Sequence, residues 1–491
     1  MLWIFFTPTR MERSVVTRTT PTPGVDGRFK DKNLPKRLGE RELDKSYAPL
    51  TAIPSLTPLM RDLSLGRSTA LWLSGDSTGN SDGANPDPTQ ESWPIRFLRD
   101  HIAPVFPNYM ILARSWNPTT EQLDPYVVIK NQVAGRRYAE FAGRSMRYVP
   151  PAGEGQFTSG NIDVAVNAID IAPNANERAL TVCYNGDDIP YGTQNVYRFR
   201  MQSNGNLAMS ISSNGTTWDH TDSGASVPED ATWFRCTWVF ESGVRQVIKF
   251  YTSADAVTWT QLGPTQDYPG DVRPVHQSVG AFFEIGGEGW QPAANTLNGK
   301  IIEVRIRDGV DGPLIAPALP ELWERYPEAN TTFGGAPTLI YINGSRSGAA
   351  MDYHTNTNRL KMETPNYGQV AAIFNNSHNE GGRSGSQWLP PYEAWVAAVQ
   401  SRLPKATATV VGQNPHMSTW PNEAAYGLDH QTRIAELVTL AARKGWGFLD
   451  LYSAYLFDGR PLSALIGPDG LHPQPSGHEL AAAELARKSG L

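Results

Sequence analysis

The stretch Leu71-Trp-Leu-Ser-Gly-Asp-Ser77-Thr-Gly-Asn80 decides how this chain is read. Residues 70–73 are a short apolar run, which predicts a buried strand. The run stops at Gly75-Asp76, where the chain must turn, and Ser77 follows at the exit. Open α/β sheets carry their reactive groups at this place, in the crevice beyond the carboxyl ends of the strands. A serine there presents its hydroxyl outward while its backbone N–H faces a substrate carbonyl. Taken alone, Gly-Asp-Ser equally fits an ordinary turn with a capping serine. The other end of the chain separates the two.

Composition narrows the possibilities. With 491 residues, 40% hydrophobic and 19% charged, the chain has enough apolar content for two to four packed domains and is not a disordered sequence. A net charge of -6 argues against a nucleic-acid partner. The two cysteines, Cys183 and Cys236, make neither a disulfide scaffold nor a zinc ribbon, and buried free thiols are expected. The 14 Trp, 18 Tyr and 17 Phe fit β-rich cores or carbohydrate-facing surfaces. Residues 1–6 are apolar but shorter than the roughly 7–15 residues of a secretory core, and no run reaches the ~18 of a membrane span. No signal peptide and no transmembrane segment are expected. Residues 1–66 begin Thr/Pro-rich and become dense in charge, which reads as an attachment segment or a plain tail that orders only against a partner.

Two patterns alternate along the rest. Over 67–130 a strand, a helix begun by Ser92 with Pro94 early, and a strand pair over 109–116 and 127–130 are expected. Over 131–336 short alternating runs recur every 8–12 residues or so, with Asn-Gly hairpin signals at 204–205 and 214–215 and no amphipathic helix, which predicts a β-sandwich. After 337 strands over 338–342, 370–374, 406–411 and 447–451 alternate with helices over 352–362, 392–403 and 423–444. A last helix is expected from Ser476, capped by Glu479. Strands alternating with helices predict a parallel sheet with helices on both faces. The sandwich is thus a guest inside one α/β domain, 67–130 plus 337–491.

The chemistry converges from the loops. Asp469 and His472 lie three apart in a Pro/Gly-punctuated loop before the last helix. An imidazole there can take a serine proton while the carboxylate orients it. Gly348, in Asn343-Gly-Ser-Arg-Ser-Gly348, allows close backbone approach to a developing oxyanion. Asn379, in Ser377-His-Asn379-Glu380, offers a further donor. His378 and His478 are rival bases, ranked below His472.

These four blocks, Gly75-Asp-Ser77-Thr, Gly348, Ser377-His-Asn379-Glu and Asp469-Gly-Leu-His472, resemble in type and order those of the SGNH (GDSL-type) hydrolases. The resemblance covers 67–130 and 337–491. It implies a flavodoxin-like three-layer α/β/α fold and a serine esterase without metal or organic cofactor. Ser77 would be the nucleophile, His472 the base and Asp469 its orienter. The N–H groups of Ser77 and Gly348 and the Asn379 amide would form the oxyanion hole. Ser377 and Glu380 depart from the usual Gly and Asp, and Ser377 is expected to narrow the pocket. The inserted region resembles concanavalin-like or laminin-G-like jelly-roll sandwiches. Trp218, Trp259 and Trp290 are then candidate glycan platforms, with core packing as the alternative for each. The whole arrangement is similar to minor tail proteins of actinobacterial phages. That implies a place on the virion tail, tail-protein partners through residues 1–66, a homo-oligomer, and an acylated host-envelope polysaccharide as substrate. A receptor-binding protein with an inactive scaffold and a lipid esterase are the competing readings.

Overall fold

The computed structural model describes residues 53–80, 91–120, 122–143, 145–150, 155–172, 176–184, 195–241, 244–269, 274–276, 281–288, 295–326, 331–356, 367, 370–380, 383–403, 405–417 and 423–491. Most of the proposed attachment segment and Trp290 lie outside them.

The expected strand at Ser77 is β1 (Thr69–Gly75), buried along its whole length. Its side chains alternate between two cores. Leu71 and Leu73 enter one, and Ala70 and Trp72 enter the other. This is the signature of a strand covered on both faces. The further parallel strands are β2 (Met110–Asn117), β3 (Thr338–Asn343), β4 (Val370–Asn375), β5 (Thr407–Gly412) and β6 (Gly447–Asp450). They stand in the order β6-β5-β4-β1-β3-β2, and the short strands Gln122–Leu123 and Val127–Lys130 pair antiparallel to β2. From β1 the chain builds outward on one side through β2 and β3. It then crosses to the other side for β4 to β6. The crevice at this reversal opens at the carboxyl ends of β1 and β4, beside Ser77.

Helices cover both faces. Against the Leu71 face pack α1 (Thr57–Ser64), the helical run α2 (Trp93–Arg96, Phe97–Ile102, Ala103–Val105) and, near the C-terminus, α6 (Leu451–Phe457) and α7 (Pro475–Ser489). Against the Trp72 face pack the one-turn α3 (Met351–His354), then α4 (Gly385–Arg402) and α5 (Glu423–Lys444). Trp72, Phe374 and Trp395 pin α4 to β1 and β4, with ring centroids 4.9–6.4 Å apart. Full burial of each such side chain stabilises by roughly 2–3 kcal/mol.

Several expectations need correction. The α/β domain reaches back beyond residue 67, because Ile53, Leu56, Leu59 and Leu63 are buried in its core. The helix expected over 352–362 is already closed at His354, and 357–362 lie outside the described residues. Helix α4 starts at Gly385, not at 392. A capping box between Ser384 and Gln387 starts it ahead of Pro390 and Pro391, which sit in its interior. Helix α7 starts at Pro475 with Gln474 as an N-cap that makes no side-chain bond. The expected capping box is absent because the Ser476 hydroxyl is spent on the Ala464 carbonyl. The strand expected over 447–451 ends one residue sooner, because Asp450 accepts from Ser453 N at 2.9 Å and caps helix α6, an element the sequence pattern does not predict.

Between the Val127–Lys130 strand and β3 the chain forms two seven-stranded antiparallel sheets. One runs in the order Asp219–Ser226, Asn206–Ile211, Asn195–Met201, Arg178–Tyr184, Phe282–Ile285, Ser145–Tyr148, Glu324–Tyr326. The other runs Thr260–Pro269, Arg245–Ser253, Trp233–Glu241, Ile162–Ile169, Asn298–Asp308, Tyr138–Ala142, Thr331–Gly334. Phe199, Met209 and Phe283 of the first meet Val164, Phe250 and Ile306 of the second in a single core, so the two sheets form a sandwich. Cys183 and Cys236 sit in this core, one on each sheet, as free thiols pushed upward in pKa by burial.

Candidate active site

The turn after β1 is forced by crowding. A Cβ on Gly75 would lie 2.0 Å from the Asn375 carbonyl oxygen of β4. The chain then closes a turn, with the N–H groups of Gly79 and Asn80 both donating to the Asp76 carbonyl at 3.1 Å. Ser77 is left at the crevice, 6% exposed.

The loop before α7 meets it. Ser77 Oγ lies 2.8 Å from His472 Nε2, and His472 Nδ1 lies 2.6 Å from Asp469 Oδ2. An ionised carboxylate only accepts, so Nδ1 carries the proton and Nε2 is left to accept from the serine hydroxyl. Asp469 Oδ1 accepts from the N–H groups of Leu471 at 3.0 Å and His472 at 3.1 Å. Partial burial works to raise the Asp469 pKa, but these two N–H groups and the imidazole together hold it below the ordinary carboxylate value. The two rival histidines are elsewhere. His478 is fully buried inside α7 and is pressed down to about 3, mainly by desolvation. His378 is buried with its Nε2 on the Asn414 carbonyl at 2.8 Å.

Gly348 has φ +71°, a conformation that favours glycine, and open space where a Cβ would go. Among the described residues neither the Ser77 nor the Gly348 backbone N–H has an acceptor. Asn379 Nδ2 donates to the Ala349 carbonyl at 3.0 Å, and Asn376 Nδ2 reaches the same oxygen at 3.2 Å. These bonds tie the loop after β4 to the loop carrying Gly348. Glu380 strengthens the tie by accepting from Met351 N at 2.7 Å and pairing with Arg383 at 3.0 Å. Replacing Gly348 by alanine is expected to cost about 1 kcal/mol of stability through backbone strain alone. Tilting its N–H should lower ester turnover roughly tenfold to a hundredfold. Urea unfolding and kcat on p-nitrophenyl acetate read the two effects separately.

Sequence reading missed the residues that hold these loops together. Gln413, 1% exposed at the end of β5, donates through Nε2 to Asp76 Oδ1 at 2.8 Å and Thr78 Oγ1 at 2.7 Å. Its Oε1 accepts from the N–H groups of Ser377 at 2.5 Å and His378 at 2.8 Å, and from Ser377 Oγ at 2.8 Å. Asn414 Nδ2 donates to the Leu471 carbonyl at 2.9 Å, which anchors the Asp469–His472 loop. Ser377 is fully buried, with its hydroxyl on Gln413.

Asp76 is fully buried, and its Oδ2 has no partner. Desolvation raises its pKa to about 6, against the opposing hydrogen bonds from Thr78 and Gln413. A carboxyl raised in the fold favours folding while protonated, and that contribution is lost as pH rises from about 4 through about 6. The shift corresponds to about 3 kcal/mol. Asp76→Asn is therefore expected to melt higher than the parent at pH 7–8, with the difference shrinking to nothing below pH 4. Thermal melts across this range test it.

His378, His416 and His430 form a buried group whose ring nitrogens lie within 4.8 Å of one another. Desolvation first, then their neighbours and Arg433, holds all three imidazoles in the neutral form. The His416 and His430 rings stack at 4.6 Å with 14° between planes, so their in-plane lone pairs run side by side. With a guanidinium adjacent, this arrangement fits three neutral rings better than a cation. The candidate glycan platforms stand apart. Trp218 stacks on Arg198 at 4.6 Å and Trp259 on Arg235 at 5.3 Å, on the outer faces of opposite sheets.

No family model matches the sequence, and no curated protein matches it. Among solved structures, a peptidoglycan O-acetylesterase aligns over 88% of this chain and 94% of its own, at 12% identity and a TM-score of 0.35. An acetylxylan esterase from Geobacillus stearothermophilus aligns over 32% of this chain and 74% of its own, at 13% identity and a TM-score of 0.26. A SAP-like pentraxin from Limulus polyphemus aligns over 42% of this chain and 97% of its own, at 14% identity and a TM-score of 0.26. Likenesses this distant carry no argument about the site, which rests on its own geometry. Among the described residues no helix is long and apolar enough to cross a membrane.

Proposed function

We propose that the protein is a serine esterase of the SGNH type that removes acetyl-sized groups from a cell-envelope glycan. The observation that carries this reading is the relay from Asp469 through His472 to Ser77, at 2.6 and 2.8 Å, beside two backbone N–H groups without acceptors. In the proposed reaction His472 Nε2 takes the hydroxyl proton as Ser77 Oγ attacks the ester carbonyl. The negative oxygen that forms is met by the N–H groups of Ser77 and Gly348, with Asn379 as a further donor. His472 then protonates the departing sugar hydroxyl. In the second half it activates a water that frees the acid and restores Ser77.

A small acyl group fits the low exposure of Ser77. The sandwich, read as a concanavalin-like jelly roll, would hold the polymer. Action from a phage tail, with attachment through residues 1–66 and assembly as a homo-oligomer, is the setting that the sequence resemblance supplies.

The reading is tested on p-nitrophenyl esters of increasing chain length, together with acetate release from O-acetylated envelope glycans. Turnover is expected to be highest for acetate and to fall by butyrate. Turnover of no ester favours an inactive scaffold, and a preference for octanoate favours a lipid esterase.

A further inference from the structure

The seam between the sandwich and the α/β domain holds a cavity of about 90 Å³ that the esterase reading leaves unused. One water needs ~10–15 Å³, so the space accepts several waters or one small oxyanion. Its walls come from the outer face of the Ile162–Ile169 sheet and from β2 with the Gln122–Leu123 strand beside it.

The charges around it do not balance. Asp163 and Asp311, the two carboxylates in the wall, both pair with Arg235, at 2.8 Å each. Glu303, just behind, takes Arg305 Nε at 2.8 Å and Arg136 at 3.1 Å. Among the described residues Arg114 donates to backbone carbonyls alone, those of Leu123 at 2.9 Å and Asp124 at 3.0 Å. Among them Arg307 donates to the Gly312 carbonyl alone, at 2.8 Å. Four arginines of the wall, Arg114, Arg235, Arg305 and Arg307, thus face two wall carboxylates, Asp163 and Asp311. Desolvation presses the Arg307 guanidinium down to about 10, against the pull of Asp163.

A second observation points into the same space. Arg305 is 8% exposed, lines the cavity and lies over the Trp233 ring at 4.5 Å, yet among the described residues its Nη2 has no hydrogen-bond partner. Arg114, 6% exposed, adds a further buried guanidinium to the wall. Planar guanidinium forks match the two oxygens of a carboxylate, phosphate or sulfate. Trp259 lines the cavity too, with the Arg235 guanidinium over its ring at 5.3 Å.

We propose that this cavity binds one small oxyanion group, held by Arg114, Arg305 and Arg307, borne either by a free inorganic ion or by an acidic sugar. The site does not depend on the serine chemistry, and Ser77→Ala is expected to keep it.

The test is titration calorimetry on the full chain with sulfate, phosphate, glucuronate and glucose, at constant ionic strength. Sulfate or phosphate, or glucuronate but not glucose, is expected to bind once per chain. Arg307→Gln and Arg114→Met are each expected to weaken binding at least tenfold, and circular dichroism checks that each variant is folded. Should one fail to fold, the other, together with mutual competition between sulfate and glucuronate, still decides. Glucuronate binding tighter than sulfate, and weakened by Trp259→Ala, assigns the site to an acidic sugar. Sulfate or phosphate binding without a glucuronate response assigns it to a free ion. Absence of binding by every anion overturns the proposal. Equal affinity in the parent and both arginine variants overturns it as well, because the anion then sits elsewhere.

Discussion

Replacing Ser77 by alanine is expected to lower kcat for p-nitrophenyl acetate by about 10⁴-fold or more while leaving the fold intact. The side chain lies at the end of a strand whose burial does not depend on it, and its one side-chain hydrogen bond goes to His472 at 2.8 Å. Removing the hydroxyl takes away the atom that would form the acyl-enzyme. His472→Ala should cost nearly as much, and the double variant little more than either, because the two groups act in one proton transfer. A Ser77→Ala variant that keeps a tenth of the parent rate would move the nucleophile elsewhere.

The second large effect is expected at Gln413. Its Oε1 is the acceptor for the buried N–H groups of Ser377 and His378, and its Nε2 holds Asp76 and Thr78. Leucine fills the volume but leaves those two N–H groups without an acceptor, at about 1–3 kcal/mol each. Gln413→Leu is therefore expected to lose about 3–5 kcal/mol, a large share of the ~5–15 kcal/mol that holds a domain. The loops bearing Ser77 and Asn379 would also lose their shared anchor, and turnover should fall roughly 100-fold even where the variant is folded. Gln413→Glu restores the acceptor but sets a second carboxylate against Asp76, whose pKa already lies at about 6. Its stability should recover as pH falls through that value. Equilibrium unfolding between pH 4 and 8 measures both variants.

The contrast between these two residues shows what a sequence displays. Ser77 was legible because a short apolar run, a Gly-Asp turn and a reactive side chain follow one another directly. The Asp469–His472 spacing was legible for the same reason, and the structure brings both groups to Ser77. Gln413 carried no such local mark. Its partners Asp76 and Thr78 lie more than three hundred residues away, and a glutamine after a strand reads as any polar loop residue. The sandwich strands showed through their alternation, as at Trp233–Glu241, where Phe234, Cys236 and Trp238 enter the core. The arginines that alternate with such residues carry no local mark of burial. Only the packing of β2 and its neighbours over that face sets the buried Arg305 and the half-buried Arg307 against one cavity. Helix α4 began earlier than read because a cap made by Ser384 outweighs two prolines in tandem.

That His472 activates Ser77 as a nucleophile is tested by labelling with a fluorophosphonate followed by peptide mass spectrometry. A single phosphonylated residue, Ser77, is expected, with labelling suppressed in His472→Ala. An adduct on any other side chain, or labelling of Ser77 that proceeds equally fast without His472, would contradict it.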